Sequence, residues 1–164
     1  MTLGGPLRKA LLTLHIVSSV GMLGAVAAFL VLAIMGLGAQ QYAAYPAMDL
    51  ITTYAVVPLA WASLLIGVVQ SLATPWGLFR HYWIVIKLAL TVLALVVLLL
   101  QTAPIRLLAE LQPEVLAGAE WASTRFSTVL HATGGIAVLL LASVLSVYKP
   151  RGLTRYGWNR LNAG

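Results

Sequence analysis

The chain contains no cysteine in its 164 residues. Disulfide bonds, thiolate catalysis, iron–sulfur clusters and thiolate metal sites are therefore all excluded. The sequence also lacks a Ser/His/Asp set, a glycine-rich phosphate loop and a pair of carboxylates within an apolar segment. These absences argue against a hydrolase and against a pump that works through buried carboxylates.

Charged residues are scarce as well. They make up 9% of the chain, whereas hydrophobic residues make up 61%. Soluble domains carry about 25% charged residues, so a chain of this size could not hide its apolar surface from water. The net charge of +6 comes from residues at the ends of apolar segments, next to aromatic residues. This placement favours a lipid bilayer as the partner and argues against nucleic acid.

Four apolar stretches are long enough to cross the bilayer, which takes about 20 helical residues. They cover residues 10–38, 51–72, 82–101 and 123–148. Because a spanning segment must satisfy its own backbone hydrogen bonds, each is predicted to be a helix. The first is too long for a signal peptide, whose apolar core has about 7–15 residues. We therefore predict an all-α polytopic membrane protein, with a single transmembrane domain over residues 1–164.

The positive charges predict an orientation. Two basic residues, Arg106 and Arg125, lie on one side of the predicted membrane. The other eight lie on the opposite side, and they are Arg8, Lys9, Arg80, Lys87, Lys149, Arg151, Arg155 and Arg160. By the positive-inside rule both termini are cytoplasmic, in a bacterial-type inner (plasma) membrane. Short connections predict an up-down-up-down four-helix bundle, followed by a basic interfacial tail over residues 149–164.

Details of the loops and helix ends can also be predicted. Asp49 is suited to cap the N-terminus of the second helix, and Pro58 is expected to distort that helix. The turn Thr74–Gly77 reverses the chain at the cytoplasmic surface, where Trp76 suits the membrane interface. Between the third and fourth helices, residues 105–111 are predicted to form a short amphipathic helix on the outer surface.

Helices in lipid recognise one another through small residues and hydrogen bonds. Five glycines are predicted to lie at helix contacts, and they are Gly21, Gly24, Gly67, Gly134 and Gly135. Polar residues inside the predicted spans are candidates for function. They include Ser18, Ser19, Gln70 and Lys87. Lys87 can extend to the cytoplasmic surface, or it can stay buried against Gln70 or a ligand head group.

The three histidines, His15, His81 and His131, are the candidate cofactor ligands. Haem b bound by two histidines needs both imidazoles at one depth. At 1.5 Å per residue, His15 and His131 are about 15 Å apart along the membrane normal, so His15 and His81 form the better pair. Alternatively, Ser18, Ser19 or Gln70 hydrogen-bonds the His15 ring, and His131 packs beside Gly134 and Gly135. Copper would need His and Met ligands, and the methionines are scattered.

Three stretches, residues 14–25, 71–88 and 131–154, resemble a family of bacterial four-helix integral membrane proteins of unknown function. More distantly, the chain resembles the CopD-type copper-resistance membrane domain. That resemblance rests on His15, Gly67, Thr74, Gly77 and Lys87. It implies a membrane-embedded bundle and a site for copper or haem b near His15.

Three functions remain open from the sequence. The first is a non-catalytic membrane scaffold or accessory subunit that associates with a second copy or with a membrane complex. The second is a redox-associated module that binds haem b or copper around His15. The third is a small transporter acting as an oligomer. A visible spectrum and metal analysis of the purified protein would distinguish the second function from the others.

Overall fold

The computed structural model describes residues 4–38, 42–74 and 76–162. The helices in chain order are α1 (Gly5–Gly36), α2 (Ala44–Ile51), a π-helical turn (Thr52–Val56), α3 (Val57–Leu72), α4 (Tyr82–Glu110), α5 (Pro113–Leu116), a 3₁₀ turn (Ala119–Trp121), α6 (Ala122–Tyr148) and α7 (Arg155–Asn162). These residues form no β-strand, although His81 and Leu153 make one isolated antiparallel bridge. The prediction of an all-α protein is confirmed.

Four helical segments are long and apolar enough to cross a membrane. They are Gly5–Gly36, Ala44–Leu72, Tyr82–Glu110 and Ala119–Tyr148, in agreement with the four predicted spans. Their outward faces are apolar, as shown by Val20, which is 63% exposed, and Val147, which is 75% exposed. Such faces suit lipid and not water. The chain is therefore a multi-pass membrane protein.

The second segment begins earlier than predicted. Because α2 starts at Ala44, Asp49 lies inside the helix and does not cap it, and Ala43 occupies the N-cap position. The expected irregularity near Pro58 is a π-helical turn that immediately precedes α3. Pro58 has no N–H to donate to the carbonyl four residues earlier. The wider π-helical turn just before α3 is therefore where the hydrogen bonding departs from the α-helical pattern.

The third segment is longer than predicted. α4 continues through Pro104 to Glu110, so the prediction of a separate surface helix over residues 105–111 is wrong. Ile105 is 3% exposed and Leu108 is 1% exposed, because both pack into the core. Packing of these two side chains in the core keeps α4 helical beyond Pro104, although a proline in a helix interior costs roughly 3 kcal/mol.

The long helices pack side by side. α1 lies against α3 and α6, and α4 lies against α6, α3 and α2. At the end of the bundle where α4 finishes, the Glu110 end, a core forms from Phe29, Ala33, Tyr45, Met48, Ile105, Leu108, Leu116 and Ala132. A smaller core of Met22, Ala60 and Leu95 lies nearer the end where α4 begins, the Tyr82 end.

Tyr45 connects α2 to the end of α1. Its hydroxyl donates a hydrogen bond of 2.7 Å to the carbonyl oxygen of Gly36, and its side chain is fully buried. A Cβ atom on Gly36 would lie 2.9 Å from Cζ of Tyr45. Glycine is therefore required here to admit the ring.

The C-terminal segment folds back onto the Tyr82 end. The hydroxyl of Thr154 donates to the carbonyl oxygen of Phe79 at 2.6 Å and accepts from the N–H of Gly157 at 3.0 Å, so Thr154 caps α7. The N–H of Tyr82, at the start of α4, donates to the carbonyl of Gly152 at 3.3 Å. The basic tail predicted over residues 149–164 is thus held by specific contacts within its described part.

Candidate functional site: a polar cavity between the long helices

A cavity of about 320 Å³ near the Tyr82 end is called here the polar cavity. All four long helical segments contribute polar residues to its wall. These residues are His15 and Ser19 from α1, Ser63 and Ser71 from α3, Lys87 and Thr91 from α4, and Ser143 and Ser146 from α6. The structure therefore brings together four residues that the sequence singled out separately, namely His15, Ser19, Gly67 and Lys87.

Lys87 is half-buried on the wall of this cavity. Its ammonium group donates to the hydroxyl of Ser146 on α6 at 3.1 Å and lies 5.6 Å from the ring centroid of Trp83. Ser146 donates its own proton to the carbonyl of Ala142 at 3.0 Å, so its oxygen can accept from Lys87. Gln70, one predicted partner of Lys87, does not line the cavity. The lysine reaches across to a neighbouring helix.

The positive charge of Lys87 has no carboxylate partner among the described residues. The four acids, Asp49, Glu110, Glu114 and Glu120, belong to elements of the Glu110 end or the loop that follows it. Glu110 lies 23 residues further along α4, which corresponds to about 34 Å. An uncompensated charge within a spanning helix is costly, and such residues are therefore usually functional.

His15 lines the same cavity as Lys87. A Cβ atom on Gly67 would lie 3.0 Å from Cε1 of His15, so this glycine makes room for the ring. Two of the three predicted partners of the ring, Ser18 and Ser19, form hydrogen bonds with other atoms. Ser18 donates to the main-chain carbonyl of His15 at 3.0 Å, and Ser19 shares a 2.8 Å hydrogen bond with Ser63. The Nδ1 atom of His15 is buried without a hydrogen-bond partner.

His131 lines a different cavity, called here the apolar cavity, of about 400 Å³. Its Nδ1 lies 2.7 Å from the carbonyl oxygen of Ser127, so Nδ1 carries the proton and donates it. Its Nε2 then accepts from the side-chain amide of Gln101, at 3.3 Å. Both nitrogens of a neutral imidazole are thus satisfied.

His81 occupies a third position, immediately before α4. Its Nδ1 lies 2.9 Å from the carbonyl oxygen of Trp76, and its ring packs against Trp76 and Trp83 with centroid distances of 5.2 and 6.5 Å. His81 therefore belongs to an aromatic cluster, formed with Trp76 and Trp83, at the Tyr82 end.

The three histidines do not form one cofactor site. His131 contacts Gln101, which lies 14 residues beyond Lys87 on α4, or about 21 Å along the helix. His15 lies at the level of Lys87, whereas His81 is engaged with the aromatic cluster. Within residues 4–38, 42–74 and 76–162, no group of three His, Asp or Glu residues is placed to hold a metal ion. The three rings are therefore not gathered at one place, and the pairing of His15 with His81 stays a prediction.

The five predicted packing glycines divide into two groups. Gly21 faces Leu59, and Gly135 faces Val26, at ordinary contact distances of 3.5 and 3.8 Å for an added Cβ; with Gly67, these lie at helix contacts. Gly24 and Gly134 are exposed, and a Cβ on either would meet no described atom within 4 Å. At these two glycines, no close approach among the described residues requires the absence of a side chain.

Comparison of the chain with protein-family models, with curated proteins and with solved structures gave no match. The resemblance to the CopD-type domain therefore stays a prediction. The function has to be argued from the cavities and their residues.

Proposed function

We propose that this chain is a non-catalytic accessory subunit of the membrane. In this proposal, its polar cavity binds an anionic amphiphile. The observation that carries the proposal is the half-buried ammonium group of Lys87, which has hydroxyl and aromatic neighbours but no carboxylate among the described residues. An anionic head group would neutralise this charge.

The neighbours of Lys87 also suit an anion. Ser71 lines the same wall, and its hydroxyl group can donate to a phosphate or carboxylate oxygen. Lys149, immediately after α6, adds a second positive charge at the Tyr82 end, where its ammonium group lies 5.6 Å from the ring centroid of Trp76.

The shape of the cavity favours a ligand that comes from the bilayer. Val20 of α1 and Val147 of α6 line the cavity and are also strongly exposed. The cavity therefore opens between α1 and α6, on a surface that faces lipid in a membrane. A head group can enter sideways through this opening while its acyl chains remain in the bilayer.

We further propose an up-down-up-down arrangement with both termini in the cytoplasm of a bacterial-type cell and the chain in its inner (plasma) membrane. Contacts at the two ends support the alternation. Phe29, late in α1, packs with Tyr45 at the start of the second segment, and His15, early in α1, meets Gly67 near the end of that segment. The distribution of basic residues supports the orientation.

The proposal is tested with the full chain in a neutral detergent, by following thermal unfolding through helical circular dichroism. Phosphatidylglycerol at a hundredfold excess over its Kd is expected to raise the Tm by roughly 5 °C or more, whereas phosphatidylcholine has little effect. Lys87→Met should remove most of this increase, because it removes the charge and keeps the length of the side chain. Lys9→Met makes the same change at an exposed site and should retain the increase.

Two results would contradict the proposal. If Lys87→Met responds to phosphatidylglycerol as Lys9→Met does, the lipid binds elsewhere. If inorganic phosphate alone stabilises the protein as much as phosphatidylglycerol does, the ligand is a free anion and not an amphiphile. Lys87→Arg retains the charge and should retain most of the stabilisation.

A further inference from the structure

Thr52 differs from five other threonines of the helices in its hydrogen bonding. In the helices, five threonine hydroxyls donate to a carbonyl three or four residues earlier, and they belong to Thr13, Thr91, Thr102, Thr128 and Thr133. Thr52 is 1% exposed, and its Oγ1 has no hydrogen-bond partner. It is the first residue of the π-helical turn, where the carbonyl spacing departs from that of an α-helix. A buried hydroxyl is thus left with its proton unused.

Thr52 belongs to the wall of the apolar cavity. At about 400 Å³, the cavity falls within the size range of small-molecule sites. None of the described residues on its wall is charged. Four other polar side chains lie on the described wall, those of Thr91, Gln101, Thr128 and His131, and each has a hydrogen-bond partner within the protein. Thr52 is the described lining residue whose hydroxyl has no partner.

The cavity is reached from the outer surface of the bundle. Leu93 of α4 and Leu130 of α6 line it and are exposed. Gly134 of α6 also lines it, and a Cβ there would meet no described atom within 4 Å. The opening therefore lies between α4 and α6, on a surface that faces lipid in a membrane. A ligand would arrive from the lipid phase.

We infer that the apolar cavity binds an uncharged, lipid-soluble molecule whose carbonyl oxygen accepts a hydrogen bond from the hydroxyl of Thr52. A hydroxyl left unpaired in an apolar environment is unfavourable, and a carbonyl oxygen satisfies it. The absence of charged residues from the described wall disfavours an ionic ligand. This site is separate in ligand chemistry from the polar cavity, where the proposed ligand is an anion.

The test compares two probes of nearly equal shape, menadione and 2-methylnaphthalene, which has the same ring skeleton without the carbonyl groups. Binding is measured by calorimetry on the full chain in phosphatidylcholine nanodiscs, with empty nanodiscs to subtract partitioning. Menadione is expected to bind about ten-fold more tightly, because it satisfies a buried donor. The chain has no cysteine that could form an adduct with the quinone.

Matched variants locate the site. Thr52→Val keeps the shape and should abolish the preference for menadione, whereas Thr52→Ser should retain it. Gly134→Leu places a side chain at the opening and should weaken both probes at least ten-fold. Gly24→Leu makes the same change at an exposed glycine of α1 and should leave the affinity for both probes unchanged.

The inference is overturned by any of three results. Equal affinity for both probes would mean that the cavity accepts hydrocarbon only, such as a lipid acyl chain. If Thr52→Val still prefers menadione, the carbonyl group of the probe does not bond to Thr52. If neither probe binds, the chain has no site of this kind. If Thr52→Val fails to fold, the comparison of probes on the unchanged chain and the two glycine variants still decide the question.

Discussion

Replacing Gly36 with alanine should loosen the Glu110 end of the bundle. The new Cβ would lie 2.9 Å from Cζ and 3.0 Å from the hydroxyl oxygen of Tyr45, whereas apolar atoms pack best at about 3.5–4.0 Å. Because Tyr45 is fully buried, its ring can yield only by displacing its neighbours. The 2.7 Å hydrogen bond to Gly36 would be stretched at the same time.

The magnitude follows from three contributions. Overpacking of a core costs about 1–3 kcal/mol, and the weakened hydrogen bond costs about 1 kcal/mol. Alanine gains back about 0.5–1 kcal/mol over glycine in a helix. Gly36→Ala should therefore lower the free energy of unfolding by about 1–3 kcal/mol. Gly24→Ala, where the added Cβ meets no described atom within 4 Å, should be neutral or stabilise by up to about 1 kcal/mol.

The assay is reversible unfolding in mixed micelles of increasing dodecyl sulfate content, followed by circular dichroism. Tyr45→Phe, which removes the hydroxyl without any overlap, should lose about 1 kcal/mol. If Gly36→Ala is as stable as Gly24→Ala, the close approach of Tyr45 to α1 is not a constraint and the reasoning fails.

Two further predictions concern the polar cavity and the C-terminal segment. Ser19→Ala, Ser63→Ala and the double variant should give a coupling energy of about 0.6 kcal/mol, typical of hydrogen bonds between membrane helices; a coupling of zero would mean that the two hydroxyls do not bond. Gly157→Ala should detach α7, because its Cβ would overlap the carbonyl oxygen of Arg80, which is backbone and cannot yield. Trypsin should then cleave at Arg151 and Arg155 roughly ten-fold faster. Gly152→Ala meets Tyr82 at 3.5 Å and should leave cleavage unchanged, so equal rates for the two variants would count against the docking of α7.

The sequence predicts the helices well because lipid imposes one simple requirement, a continuous apolar stretch of sufficient length. It predicts their ends less well. Polar Gln101 and Thr102, followed by Pro104, suggest the end of a helix. The burial of Ile105 and Leu108 against a distant part of the chain keeps α4 intact, and periodicity within one segment does not reveal such contacts.

The candidate site was predictable in part. His15, Ser19 and Lys87 stand out as polar residues in apolar segments, and Ser63 and Gly67 share one face of a helix. Ser146 escaped notice because a lone serine near a helix end carries no signal of its own, and its importance comes from its contact with Lys87. The unpaired hydroxyl of Thr52 was equally hidden, since only the π-helical turn distinguishes it from other threonines.

The bond between Tyr82 and Gly152 has a consequence for the order of assembly. The first N–H groups of a helix have no acceptor within that helix, and the start of α4 obtains one from a residue 70 positions later in the chain. During synthesis α4 is complete long before Gly152 leaves the ribosome. The beginning of α4 therefore stays unfinished while α6 is inserted. This hydrogen bond forms only when residues 152–154 reach the Tyr82 end.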